Sequence, residues 1–150
     1  LQHCEIWSSL GTWISDKKPN FGPVTKANFY DLAANADREA IQKCVQYREH
    51  FANVLNTFLN QGNLICFPTT PALAPKLNTI GVSLNQRTSG TYYPRTSGIG
   101  AISGLSRAPQ ISLPVGQCNG VPIGLSFMAA YGHDNFLCAE MTYILSKLMQ

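Results

Sequence analysis

Apolar residues recur at helical spacing in the first fifteen positions, LQHCEIWSSLGTWIS, where Ile6, Leu10, Trp13 and Ile14 fall on one side. Gly11 interrupts the run, at a cost of about 1 kcal/mol relative to alanine. The charged stretch DKKPNFGP, Asp16 to Pro23, reads as a turn punctuated by proline. A short helix through Thr25–Ala33 is expected next. The most regular segment runs from Asp37 to Leu59, with Ile41, Cys44, Val45, Phe51, Leu55, Phe58 and Leu59 forming one apolar stripe. Asn35 or Asp37 can cap its start and Gly62 can stop it.

The pattern then changes. NLICFP, bounded by Gly62 and Pro68, reads as a short buried strand. It opens into TTPALAP, where Pro68, Pro71 and Pro75 forbid helix or central strand. KLNTIGVSLNQRTSGTYY alternates weakly and reads as loop. PRTSGIGAISGLS, starting at Pro94, places Ile99, Ile102 and Leu105 on one side of a glycine-rich helix. Asn119-Gly120 is a strong hairpin signal, because both residues tolerate positive φ. It would pair strands Gln110–Gly116 and Val121–Ala129. Asp134 then caps a last helix whose apolar face is Phe136, Leu137, Met141, Ile144, Leu145 and Leu148. Strands with covering helices predict an α/β fold over residues 1–150, one domain. About three strands are evident against roughly 5–6 in a mean sheet, so the mixed sheet is expected to be incomplete in this chain. The run already in progress at Leu1 adds the expectation of a cut chain.

Composition sharpens this picture. Hydrophobic residues make up 45% and charged residues 13%, the latter about half the ~25% usual in soluble domains. Much of the surface is therefore expected to contact protein. The eleven lysines and arginines are scattered, net charge is +3, and no basic stripe speaks for nucleic acid. No apolar run reaches the ~18 residues of a membrane span. The five cysteines, Cys4, Cys44, Cys66, Cys118 and Cys138, include no CxxC pair. That argues against a disulfide framework or zinc knuckle and fits a reducing, cytoplasmic compartment. Cys44 and Cys66 sit in apolar patterns and read as small core residues.

Candidate chemistry is sparse. GLSRA from Gly104 and GLSFM from Gly124 both break the G-x-S-x-G nucleophile elbow at its last position. SDKK, Ser15 to Lys18, has serine–lysine spacing but reads as a helix end, where lysines meet the negative pole of the dipole. His3, His50 and His133 lack metal-ligand spacing. TSGIGAISG carries neither the lysine nor the spacing of a phosphate loop. No catalytic residue, metal site or cofactor site emerges from residue chemistry alone.

The breaker-rich segment GLSRAPQISLPVGQCNGVPIGLSFMA, with the following GHD, resembles the C-terminal end of amidase signature enzymes. LICFPTTPALAP resembles their strand leading into a Thr-Pro-rich loop. EIWSSLGTWI, FGP and YPRTSGIGAISGL resemble the bacterial and plant branch. The resemblance covers nearly the whole chain. It implies the C-terminal part of the amidase signature fold and hydrolysis of a small carboxylic amide, without metal or cofactor. A serine attacks the carbonyl, a second serine in a cis peptide bond relays the proton, and a lysine is the base, while backbone amides hold the oxyanion. Those residues are expected in a Gly/Ser-rich segment N-terminal to Leu1, so that the chain would be inactive alone and the missing N-terminal part would be its partner. Ser97 falls near the family's substrate-reading position, where the tRNA-amidotransferase relatives carry an acidic group; it is the one candidate pocket residue. Arg107 stands where glycine is usual. The prolines and glycines of the hairpin are expected to be fixed turns and bulges shaping an active-site wall. An independently folding interaction module, an amidotransferase subunit and a homodimer are the alternatives.

Overall fold

The computed structural model describes residues 1–37, 39–77, 79 and 92–148. In chain order these form α1 (Gln2–Lys17), α2 (Pro23–Lys26), a π-helical turn (Ala27–Leu32), α3 (Ala40–Leu59), β1 (Ile65–Pro68), α4 (Tyr92–Ser106), β2 (Gln110–Cys118), β3 (Val121–Met128) and α5 (Asp134–Leu148). The loop expected over residues 76–93 falls largely outside the described residues.

Among the described residues the sheet is antiparallel, with order β1-β3-β2. It is covered on both faces. Met128 of β3, with Ile65 and Phe67 of β1, packs against Leu55 and Leu59 of α3 and Ile102 of α4. Leu113 and Phe127 on the opposite face pack against Leu137, Met141, Ile144 and Leu145 of α5. The hairpin turn is the expected one, with φ of 51° at Asn119 and 77° at Gly120.

Asp37 is the cap of α3: its Oδ1 accepts from the backbone N–H of Glu39 at 2.9 Å and of Ala40 at 3.1 Å. Gly62, at φ 81°, stops the helix, its N–H donating to the Leu59 carbonyl at 3.2 Å. Gly11, expected to weaken α1, is buried against Trp7: a Cβ there would lie 3.0 Å from the indole ring. Three expectations need correction. Asp134 is the first residue of α5 rather than its cap; its carboxylate sits in the first turn, near the positive pole of the dipole. Cys44 is exposed, lying on the side of α3 that turns toward the N-terminal residues. Cys66 is exposed because α5 packs across β2 and leaves its own edge strand uncovered.

Asn56 ties the layers together. Its Nδ2 donates to the carbonyls of Ala52 and Ser106, and its Oδ1 accepts from the Tyr131 N–H at 2.7 Å. One half-buried amide thus joins α3, the end of α4 and the segment leaving β3. Arg107, directly after α4, adopts φ 58°, a left-handed conformation that favours glycine. Its guanidinium donates to Glu49 Oε1 at 2.9 Å.

Candidate functional site

Four polar side chains converge on the sheet face that carries Met128, beyond the cover of α3 and α4. Thr69 follows β1, and its N–H donates to the Gly124 carbonyl at 3.0 Å, so the loop leaving β1 is stitched to β3. Thr69 Oγ1 lies 2.5 Å from Ser112 Oγ and 2.9 Å from Ser126 Oγ. Gln110 Nε2 donates to Ser126 Oγ at 2.9 Å. Ser126 is fully buried, Thr69 half-buried and Ser112 exposed, so the chain of hydrogen bonds runs from the core to the surface. One set of donors satisfies every link. The Gln110 amide donates to Ser126, Ser126 to Thr69 and Thr69 to Ser112, which leaves the Ser112 O–H free to donate outward.

Two backbone features create this convergence. Gly124 sits between the hydroxyls: a Cβ there would lie 2.8 Å from Ser112 Oγ and 2.9 Å from Thr69 Oγ1. The second feature is a bulge. From the turn the strands pair Cys118 with Val121 and Gly116 with Ile123, but past Val115 the register shifts, and Pro114 pairs with Gly124 and Ser112 with Ser126. Without that extra residue Ser112 would oppose Phe127 and point to the other face, because side chains alternate with period two. The prolines fit the same scheme. Pro114 lies on an edge strand, and Pro122 precedes the Leu125–Met128 segment that pairs with β1, so on that side it costs no ladder bond.

The hydroxyls lack an activating base. Among the described residues no lysine, histidine or carboxylate hydrogen-bonds to this cluster, and no group of three His, Cys, Asp or Glu could hold a metal. The cluster can donate, accept and position; it holds no group able to deprotonate a nucleophile. The other sequence candidates lie elsewhere. Ser97 is exposed in the second turn of α4 and is not part of the cluster. Ser15 and Lys18 line one cavity without hydrogen-bonding each other. His3 reaches Asn28 Oδ1 at 3.5 Å, whereas His50 and His133 are exposed.

The amidase family's sequence model matches residues 8–138. The chain belongs to the amidase family. It is 28% identical over 137 residues to the protein named Amidase 1 of Oryza sativa subsp. japonica, covering 91% of this chain and 30% of that one. It is also 28% identical over its whole length to Outer envelope protein 64, chloroplastic, of Arabidopsis thaliana, covering 24% of that protein. The chain thus spans under a third of the length of these curated relatives. A crystal structure of an amidase, 23% identical, superposes with a TM-score of 0.64 over 83% of this chain and 28% of its own. The α/β arrangement is therefore part of the amidase signature fold. No described helix of this amidase-family chain is long and apolar enough to cross a membrane.

The hydroxyl cluster was missed by sequence reasoning. Thr69 stands 43 residues from Ser112 and 57 from Ser126. The available signal was the pair of Ser-containing strands around Asn119-Gly120, but counting back from the turn puts Ser112 opposite the wrong residue unless the bulge is known.

Proposed function

We propose that this chain forms the C-terminal wall of an amidase that hydrolyses a small carboxylic amide through a serine–serine–lysine relay. In this reading the three catalytic residues belong to polypeptide preceding Leu1. The observation that carries it is a preorganised set of hydroxyls without a base, in a chain that spans 30% of an amidase relative. The attacking serine forms an acyl-enzyme as the amine leaves, and water then releases the acid. Thr69, Ser112 and Ser126 act as positioning residues that hold the Thr69–Pro71 loop against the sheet. Ser97, exposed on α4, lines the substrate pocket.

Release of ammonia or amine from aryl and alkyl primary amides tests the reading. The full-length protein is expected to turn over at least one of them. The 150-residue chain alone is expected to give none, and authentic turnover by it would place the nucleophile here instead. Thr69→Val in the full-length protein is expected to lower kcat several-fold with little change in KM. A second reading, an interaction module without amide turnover, draws on the likeness to a protein named for an organelle envelope. It predicts that the full-length protein binds amides without releasing amine.

A further inference from the structure

A cavity of about 390 Å³ opens between the end of α1, the turn after it, α2 and the π-helical turn. These elements are distinct from those that build the hydroxyl cluster. Phe21, Pro19 and the buried Ile14 are the apolar members of its lining, and Ser15, Lys18, Lys26 and Tyr30 are the polar ones. No carboxylate lines it among the described residues. Its size falls within the range of small-molecule pockets, and its combination of an apolar lining with a few convergent polar groups is their usual chemistry.

The lining is held in place from behind. Lys18 has φ 43°, fixed by its N–H donating to the Ile14 carbonyl at 3.0 Å. Phe21 is wedged between Trp13 and Phe29, with ring centroids 6.3 and 6.2 Å away, and its N–H closes a tight turn onto the Pro19 carbonyl. The Tyr30 ring stands edge-on to Trp7 at 5.9 Å. Asn28 braces the same segment, donating to the Val24 carbonyl at 3.0 Å. Tyr30 itself lies in the π-helical turn, a rare distortion that is frequent at functional sites.

We propose that this cavity binds an organic anion with a flat apolar body, of the arylcarboxylate class. The ring lies on Phe21 and Ile14. The carboxylate is met by the ammonium groups of Lys18 and Lys26, with the Ser15 and Tyr30 hydroxyls donating to its oxygens. Two point charges with two hydroxyls recognise the carboxylate; the apolar lining separates such a ligand from a simple inorganic anion.

Calorimetric titration of the full-length protein with 2-naphthoate, 2-naphthamide and inorganic phosphate tests the proposal. Naphthoate is expected to bind at least tenfold more tightly than the amide and than phosphate. The Lys18→Gln/Lys26→Gln double variant is expected to lose tenfold or more for naphthoate while leaving the weak amide binding unchanged. Lys18→Arg/Lys26→Arg keeps the charge and is expected to keep most of the affinity, which separates loss of recognition from loss of fold. Equal binding of the neutral amide, equal binding of phosphate, or an unchanged affinity in the glutamine variant would each overturn it.

Discussion

The hydroxyls of Thr69 and Ser112 meet 2.5 Å apart in the space left by the missing side chain of Gly124. Gly124→Ala puts a methyl group into that space and forces at least one hydroxyl out of its hydrogen bond. The expected loss is about 1–3 kcal/mol, read as a lowered denaturation midpoint in urea. Adding Ser112→Ala to Gly124→Ala removes one of the two clashing atoms and is expected to recover part of the loss. Additive effects of the two changes would show that the close approach does not matter.

Asn56 makes three hydrogen bonds to three separate backbone segments. Asn56→Ala leaves the Ser106 carbonyl and the Tyr131 N–H without these partners, at an expected cost of about 1–3 kcal/mol. Asn56→Asp keeps the acceptor for Tyr131 but aims a charged oxygen at two carbonyls. It is expected to be the more damaging change at neutral pH. Equilibrium urea unfolding of both variants decides the order.

Removing the Asp37 carboxylate leaves two N–H groups at the head of α3 uncapped. Asp37→Ala is expected to cost about 0.5–2 kcal/mol, and Asp37→Ser to restore most of it. Hydrogen exchange at Glu39 and Ala40 should accelerate in the alanine variant while the middle of α3 stays protected.

Arg107 combines an unfavourable backbone with an exposed ion pair. A left-handed conformation costs a non-glycine residue roughly 1–2 kcal/mol, whereas exposed pairs contribute about 0–1 kcal/mol. The side chains of Arg107 and Glu49 are 52% and 44% exposed, which places their pair in the weak class. Arg107→Gly is therefore expected to be neutral or stabilising, and Arg107→Ala mildly destabilising, since it loses the pair and keeps the strain. Thermal unfolding midpoints of the two variants test this; a glycine variant less stable than the alanine one would overturn it.

Local chemistry made much of this fold readable in advance. Helix α3, the Asn119-Gly120 turn and helix α5 are each set by residues a few positions apart and stand where the pattern put them, but Cys44 and Phe58 of the expected α3 stripe and Phe136 and Leu148 of the expected α5 face are exposed. What escaped depends on longer reach. Cys66 belongs to an apolar run, yet its exposure is decided by which strand α5 crosses. Gly11 is a weak point by helix propensity alone, but the Trp7 ring fills the space a side chain there would take. The hydroxyl cluster depends on a one-residue slip at Val115, which no period of apolar residues announces. Ser97 could be placed on a helix from the sequence, and it stands exposed on α4, apart from the hydroxyl cluster.

Pro114 and the kink at Val115 have a consequence for assembly. They spoil β2 as a template, since a newcomer aligning along it would meet an absent donor and a twisted backbone. The opposite rim, β1, carries a proline only at its last residue, Pro68, and no register shift. An added strand is therefore expected beside Cys66 rather than along the hairpin's β2 edge.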